Sequence, residues 1–291
     1  MSLWILVLGL VIVLIIYYLQ SSRVQRPYLW TYWENRGTRT SPPAHIQLCL
    51  ESIHRRCANT FQVVTLDAQS ISRYLPNLRS DLDKLLVAQK VDYIRVALLE
   101  KYGGVWVDAD TIMLSDLRDL ADKLQRHDFI GYGCTGDKCY YGKPRPSNWV
   151  LASKAKGQLI TRVLASLDQH LDSGQSNFSY HDLGKKVIWQ ELARLQSTGY
   201  DYYHYPADYD GSRDAGGKWI HSPQHLSTTP IVFLNSEKLQ FSFLSNAELM
   251  GNEKYQWVLQ KSRDELLRGP WNMSRLFRRA FGVVEKNVSP S

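Results

Sequence analysis

The segment from Val91 to Thr111 constrains the fold more than any other part of the sequence. It begins as an amphipathic helix, is interrupted by Gly103–Gly104, continues as the short apolar strand Val105–Val107 and ends in Asp108–Asp110. Glycines end helices, and two aspartates two positions apart point to the same side of an extended chain. In an open α/β sheet, ligands bind at the carboxyl ends of the strands. The segment therefore predicts an α/β protein with an acidic site at one strand end.

Hydrophobic periodicity over the rest of the chain predicts alternating strands and helices. The 291 residues are 44% hydrophobic and 22% charged, which is ordinary globular composition and excludes disorder, collagen and coiled coil for the chain as a whole. Strands are predicted at 28–33, 61–66, 105–107, 129–132 and 231–234; helices are predicted from Ser41 onwards and at 81–102, 114–124, 157–171 and 182–195.

The N-terminus carries an apolar run, Leu3–Leu19, without a charged residue. A spanning helix needs about 20 apolar residues, and no basic residue precedes the run as one would in a cleaved signal. We expect residues 1–22 to be a membrane anchor and 23–291 to be one domain. Arg23 and Arg26 follow the run, so the positive-inside rule places the domain in the cytoplasm. Asn-x-Ser sequons at Asn177, Asn272 and Asn287 leave a lumenal placement open.

The net charge and the cysteine content limit which ligands, disulfides and metal sites are expected. The net charge of +7 suits nucleotide phosphates or lipid headgroups and does not by itself indicate nucleic acid. The 4 cysteines are too few for a disulfide scaffold of this length. Cys134 and Cys139 lack the close pairs and nearby histidines that a zinc site needs, so reduced thiols are expected.

Four side chains are candidates for one site. Asp92 and Arg95 lie three apart on one face of the helix that leads into the Gly-Gly turn, so they can meet Asp108 and Asp110. The aspartates are hard oxygen ligands for Mg²⁺ or Mn²⁺, and the forked arginine suits a diphosphate or sugar hydroxyls. A buried structural ion pair between Asp92 and Arg95 is the alternative.

Three motifs carry a resemblance to a known family. They are W-x-x-W at Trp30–Trp33, C-x-x-S at Cys49–Ser52, and the D-x-x-R…G-G-x-W-x-D-x-D block from Asp92 to Asp110. Over roughly residues 28 to 115 the sequence resembles the capsular polysaccharide synthesis family of glycosyltransferases. More distantly, it is similar to yeast mannosyltransferases and clostridial glucosylating toxins. The segment from Asn148 to Ser153 resembles a later Asn-containing strand of the family.

The resemblance implies a GT-A fold, which is Rossmann-like and single-domain, over residues 23–291. It also implies a nucleotide-sugar donor, with UDP as the family-level choice, a Mn²⁺ or Mg²⁺ cofactor, and a glycan or lipid-linked acceptor. Retention of anomeric configuration is favoured by the distant relatives. The implied site has Asp110 for the metal and Asp108 for the metal, the ribose or the donor sugar. Asp92 and Arg95 are implied for the donor sugar and its phosphates, and Asn148 for the donor. Trp30 is implied for the base, with core packing as its alternative.

Further candidates lie nearer the C-terminus. His221 and His225 are candidates for an additional metal ligand, because GT-A enzymes often take one from that region, and a structural role is the alternative for each histidine. Asp208, Asp210 and Asp214 occupy a Tyr- and Gly-rich loop that suits a lid, an acceptor site or a plain solvated loop.

Two other functions remain open from the sequence. One is a metal-dependent phosphoesterase, which would usually bring more His and Asp ligands for two metals. The other is a non-catalytic, membrane-tethered glycan-binding protein, against which the complete set of Asp92, Arg95, Asp108 and Asp110 argues.

Overall fold

The computed structural model describes residues 26–35, 37, 39–134, 145–175 and 177–283. A mixed six-stranded sheet forms its centre. The strands are β1 (Tyr28–Tyr32), β2 (Gln62–Leu66), β3 (Gly104–Val107), β5 (Phe129–Cys134), β6 (Arg145–Ser153) and β7 (Tyr203–Pro206). Their order across the sheet is β2-β1-β3-β6-β5-β7. A separate two-stranded antiparallel sheet pairs β4 (Thr111–Met113) with β8 (Phe241–Phe243). The predicted α/β class is confirmed.

Strand direction decides where the site forms. β1 runs parallel to β2 and β3, whereas β6 runs antiparallel to β3 and β5. The carboxyl ends of β1 and β3 therefore meet the start of β6 at one edge of the sheet. Trp106 pairs with Trp30 on one side and Leu151 on the other, which fixes the register of these three strands.

Helices cover both faces of the sheet. They are α1 (Ala44–Cys57), α2 (Val87–Tyr102), α3 (Arg118–Arg126), α4 (Gln158–Asp172), α5 (Lys185–Gln196), α6 (Ser222–His225), α7 (Asn246–Met250), α8 (Arg263–Arg268) and α9 (Asn272–Phe281). One buried core joins α2, α4 and α5 to the sheet, and a second packs α1 and α3 on the opposite face. A third core joins α1 and β4 to α8 and α9. Burial on both faces explains why the central strands are uniformly apolar.

Two predicted elements differ in the structure. The long helix expected at 81–102 is a short 3₁₀ turn, Ser80–Lys84, followed by α2. Leu85 and Leu86 between them have extended backbones, and the Leu86 N–H donates to the Gln89 side chain instead of to a helical carbonyl. The strand expected at 231–234 is reduced to a single bridge between Asp214 and Phe233. Phe233 packs in the third core whereas Val232 and Leu234 stay exposed. The run is held by the backbone bonds Ala215 N–H to Val232 and Leu234 N–H to Arg213, without an extended ladder.

The structure does not describe the N-terminal run. Across the described residues, no helix is both long enough and apolar enough to cross a membrane. The predicted anchor at 1–22 lies outside the described residues and stays a prediction, as does any role of Cys139 or Asn287.

Candidate active site

A large cleft opens at the edge where β1, β3 and β6 meet. Its volume is about 1150 Å³. Trp33 and the two residues after it line the cleft beyond β1, Asp108–Asp110 line it beyond β3, and Asn148 and Trp149 line it from β6. These segments come together because the strands are adjacent in the sheet and their relevant ends coincide.

Arg95 joins two aspartates at the floor of this cleft. Its Nη1 donates to Asp92 Oδ1 at 2.8 Å, and its Nη2 donates to Asp108 Oδ1 at 2.7 Å. The arginine is only 3% exposed, so both charge-assisted bonds are shielded from water. The planar fork of a guanidinium suits this bridge between α2 and the end of β3, which a lysine cannot reproduce.

Two further donors hold these carboxylates. Trp106 Nε1 donates to Asp108 Oδ1 at 2.6 Å, and the Trp106 ring lies 5.2 Å from the Arg95 guanidinium. Asn148 Nδ2 donates to Asp92 Oδ1 at 2.8 Å. The bonds fix both side chains in position, so the cleft floor is preorganised by α2, β3 and β6 together.

Gly184 closes one side of the floor. A Cβ built there would lie 2.4 Å from Asp92 Oδ2 and 2.8 Å from Asn148 Nδ2. No side chain larger than hydrogen therefore fits beside the Asp92 carboxylate without displacing it. The glycine precedes α5, so this helix sits directly against the site.

Asp110 connects the strand end to the C-terminal part of the chain. Its Oδ2 accepts the backbone N–H of Asn246 at 2.8 Å, and its carbonyl accepts the N–H of Leu244 at 2.9 Å. The other oxygen, Oδ1, makes no hydrogen bond to the described part of the chain. The sequence alone does not indicate this contact, because Asn246, the first residue of α7, lies far along the chain from Asp110.

Charge accumulates at the floor, where three carboxylates share one guanidinium. Burial raises the pKa of Asp92 to about 6, although Arg95 opposes the rise. Burial also raises the pKa of Asp108 against the attraction of Arg95. For Asp110, burial and then the negative charge of Asp108 raise the pKa. The site therefore holds excess negative charge that a bound cation would neutralise.

The donor set at Asp108 and Asp110 fits a hard divalent cation. Asp108 Oδ2 and Asp110 Oδ1 have no hydrogen-bond partner in the described segments, and both carboxylates face the cleft. No cluster of three or more His, Cys, Asp or Glu side chains suited to a metal occurs among the residues described. Two carboxylates would thus leave the remaining positions to water and substrate phosphates, as Mg²⁺ sites commonly do.

The two candidate histidines lie in different surroundings. His221 lines the cleft, and its Nδ1 lies 3.0 Å from Glu248 Oε1. His225 is buried, its Nε2 lies 2.8 Å from Ser242 Oγ, and burial lowers its pKa to about 4. The structure therefore corrects the placement of His225, which packs in the interior away from the cleft. The proposed metal role of His221 stays a prediction.

The structure also corrects the placement of Trp30. The residue is 0% exposed, stacks on Tyr28 at 4.4 Å between ring centroids, and donates Nε1 to the carbonyl of Gly103 at 2.9 Å. Helices cover both faces of β1, and among the residues of this strand Tyr32 alone lines the cleft. Trp33 lies beyond the last residue of the strand, at the sheet edge, and lines the cleft.

Several cleft residues were not identified from the sequence. Tyr180 is half exposed, and burial together with the nearby aspartates, Asp108 first, raises its pKa. Trp149, Arg213 and Trp219 line the side of the cleft next to β6. Single aromatic and basic residues at irregular spacing give no pattern that separates them from packing residues, so only the fold reveals them.

The predicted acidic loop is divided by the structure. Asp210 is buried and lines the cleft, whereas Asp214 accepts backbone N–H groups of Gly216 and Lys218 within its own turn. Asp208 lies 3.5 Å from Lys238 Nζ. Only Asp210 of the three therefore belongs to the cleft.

These features define an α/β protein with an acidic, arginine-clamped ligand cleft at a sheet edge. The chain belongs to the capsular polysaccharide synthesis protein family, whose profile matches residues 15–188. The match extends beyond the motifs that indicated the family in the sequence and includes Asn148 and Gly184. No curated protein sequence matches the chain significantly.

The chain is distantly similar to several solved structures. For the glycosyltransferase GlyE of Streptococcus pneumoniae TIGR4, the identity is 13%, 89% of this chain and 64% of GlyE are covered, and the TM-score is 0.44. For the galactosyltransferase LgtC, solved with donor and acceptor sugar analogues, the identity is 10%, 91% of this chain and 98% of LgtC are covered, and the TM-score is 0.42. For the PaToxG glycosyltransferase the identity is 14%, 58% of this chain and 68% of that chain are covered, and the TM-score is 0.41. The chain thus spans less than two thirds of the GlyE chain. These TM-scores are too low to establish a shared fold or activity.

Proposed function

We propose that this protein is a metal-dependent glycosyltransferase of the GT-A type. It transfers a sugar from a nucleotide-sugar donor, with UDP as the expected nucleotide, to a glycan or lipid-linked acceptor in polysaccharide biosynthesis. The observation that carries the proposal is the Arg95 bridge between Asp92 and Asp108, with Asp110 beside it, in a large cleft at the sheet edge. Membership of the capsular polysaccharide synthesis family supports the substrate class.

The residues have separate tasks in this proposal. Asp108 and Asp110 hold Mn²⁺ or Mg²⁺, which when bound neutralises charge on the leaving diphosphate. Arg95 orients the two flanking carboxylates instead of holding the donor phosphates itself, because it is buried and both of its Nη atoms already donate to Asp92 and Asp108. Asp92 with Asn148 contacts the donor sugar. Trp33, rather than the buried Trp30, flanks the base. Retention of anomeric configuration rests on the family resemblance, and proton NMR of the first product tests it.

The phosphoesterase alternative is less well supported. It requires a two-metal centre, and the described residues contain no cluster of His, Cys, Asp and Glu large enough to form one. A non-catalytic glycan-binding protein would not need the buried bridge of Arg95 with Asp92 and Asp108. This group of charged side chains suits a charged ligand such as a diphosphate.

A donor screen tests the proposed activity. The full-length chain in detergent is heated with Mn²⁺ and UDP-glucose, UDP-galactose, UDP-N-acetylglucosamine or GDP-mannose, and slow donor hydrolysis is measured in parallel. We expect one nucleotide sugar to raise the Tm and to be hydrolysed only with metal present. Both effects should be lost in the double variant Asp108→Asn/Asp110→Asn. A folded protein with no response to any of the four donors would contradict the proposal.

We also propose that residues 1–22 tether the domain of residues 23–291 to a membrane from its cytoplasmic side. The apolar run Leu3–Leu19 and the arginines that follow it support this placement. Protease added to sealed membrane vesicles of known orientation tests it. We expect the protease to digest the domain only when the cytoplasmic face of the membrane is accessible. Digestion from the opposite face would show that the domain has the opposite orientation.

A further inference from the structure

The cleft has an aromatic wall on the side of Asp108 opposite Trp33. β3, which carries Asp108, lies between β1 and β6 in the sheet, so Trp33 and Trp149 flank it from opposite sides. The Trp149 ring lies 4.5 Å from Phe243 and 5.7 Å from Trp219, with interplanar angles of 34° and 31°. All of these rings line the cleft, and Trp219 is 39% exposed. They form a contiguous aromatic cluster at the cleft wall, in which Trp219 is the most exposed ring.

Polar groups without partners accompany these rings. Asp210 is 0% exposed; its Oδ1 accepts the N–H of Ser212 at 2.9 Å, whereas its Oδ2 has no partner. The indole N–H of Trp149 is also buried and unbonded. The Arg213 guanidinium lies 5.0 Å from the centre of the Trp219 ring, and it forms no ion pair within the described segments. Buried polar groups are normally hydrogen-bonded, so these groups indicate a ligand or water that satisfies them.

A saccharide matches this combination of groups. A pyranose presents a flat face of C–H groups that packs on aromatic rings, and its hydroxyls both donate and accept hydrogen bonds. Arg213 supplies donors, and the free oxygen of Asp210 supplies an acceptor. Binding sites with mostly apolar walls and a few placed polar groups are typical of small-molecule recognition.

We propose that the half of the cleft formed by Trp149, Trp219, Phe243, Asp210 and Arg213 binds the saccharide acceptor. The inference rests on the proposed transferase function. In the transfer, the bond from the anomeric carbon to the phosphate oxygen breaks, and its electron pair leaves with the diphosphate. A bond from the anomeric carbon to the acceptor hydroxyl oxygen forms, and the hydroxyl proton passes to the released diphosphate. The position beside Asp108 brings the acceptor to the donor sugar.

Trp219 provides the test, because its exposed ring can be removed with little effect on folding. The full-length chain is assayed with Mn²⁺ and the donor panel above, first with water alone and then with the p-nitrophenyl glycosides of glucose, galactose, mannose and xylose. We expect at least one glycoside to be glycosylated. Trp219→Ala should raise the KM for that glycoside by about ten-fold or more, the effect of losing roughly one stacking contact. Donor hydrolysis in water should fall much less than the acceptor affinity does, and Trp219→Phe should restore most of that affinity.

The two assays separate failure of the inference from failure of the proposed function. Hydrolysis in water depends on the donor site alone. A wild-type protein that hydrolyses a donor but glycosylates none of the four glycosides overturns the acceptor site. An unchanged acceptor KM in Trp219→Ala overturns it as well. A wild-type protein that neither binds nor hydrolyses any nucleotide sugar overturns the transferase proposal, and the acceptor site with it.

Discussion

Arg95 on α2 donates to Asp108 at the end of β3 over 2.7 Å, while both side chains lie in the floor of the cleft. The bond crosses the Gly103–Gly104 turn that separates the helix from the strand. Gly104 itself has a φ of +97°, and a Cβ there would lie 2.3 Å from the carbonyl oxygen of Tyr28. The close approach of β3 to β1 at this turn therefore requires a glycine at position 104.

Replacing Arg95 by lysine tests the bridge. A lysine offers a single charged nitrogen, so Asp92 and Asp108 cannot both keep their bonds at the observed spacing. We expect Arg95→Lys to lower the kcat of donor turnover by about 10- to 100-fold, which corresponds to losing one hydrogen bond to a charged group. Arg118→Lys, at an exposed ion pair, is the control. Turnover equal to wild type in Arg95→Lys would make the bridge purely structural.

Removing the charge of Asp110 separates metal binding from folding. Burial and the nearby Asp108 disfavour the ionised form of Asp110 and so raise its pKa. The side-chain oxygen of an asparagine can still accept the N–H of Asn246. We therefore expect Asp110→Asn to keep or raise the Tm measured in EDTA, while the further rise caused by Mn²⁺ with a donor disappears. Asp122→Asn, on an exposed stretch of α3, should change neither value. A metal response that survives in Asp110→Asn would remove Asp110 from the metal site.

The two tryptophans of the W-x-x-W motif should respond differently to substitution. Trp30→Ala removes a fully buried ring and should lower the free energy of unfolding by about 3–5 kcal/mol. Trp33→Ala should instead weaken donor binding by about 10-fold or more, the usual contribution of a ring that stacks on a base. Urea unfolding and calorimetric titration measure the two effects. A loss of donor affinity in folded Trp30→Ala that exceeds the loss in Trp33→Ala would reverse this assignment.

Gly184 gives a steric test of the floor. In Gly184→Ala the new Cβ must displace Asp92 or Asn148, since both lie within 2.8 Å of its position. We expect donor turnover to fall more than thermal stability does. Gly216→Ala, where the nearest atom is an Asp214 side-chain oxygen at 3.3 Å, is the matched control outside the cleft. Full activity in Gly184→Ala would show that the floor tolerates a shift of Asp92.

His225 predicts a pH dependence of stability. Burial lowers its pKa from 6.5 to about 4, so between these values the unfolded chain binds a proton that the folded chain does not. The free energy of unfolding is therefore unaffected by His225 above pH 6.5 and falls as the pH drops to about 4, by roughly 3 kcal/mol in total. Urea unfolding from pH 7 to pH 4 should show a smaller decline in His225→Gln. Parallel curves for the two proteins would show that His225 does not titrate in this way.

Much of the site was predictable from the sequence because its parts are local. Asp92, Arg95, Asp108 and Asp110 lie on one helix, turn and strand, and the Gly-Gly turn indicates that the helix and strand fold back on each other. Asn148 came from the family resemblance alone. Trp30 was assigned to the base from the family resemblance, and local sequence patterns do not show that helices cover both faces of its strand.

The sequence by itself determined the α/β class and the acidic strand end, which follow from periodicity and short spacings, and its motifs indicated the family by resemblance. Only the tertiary structure decided which distant residues complete the cleft. Asn246 reaches Asp110, Gly184 packs on Asp92, and Trp219 joins Trp149, all through contacts between segments far apart in the chain. Such contacts depend on strand order and helix packing, which local patterns of hydrophobicity and charge do not encode.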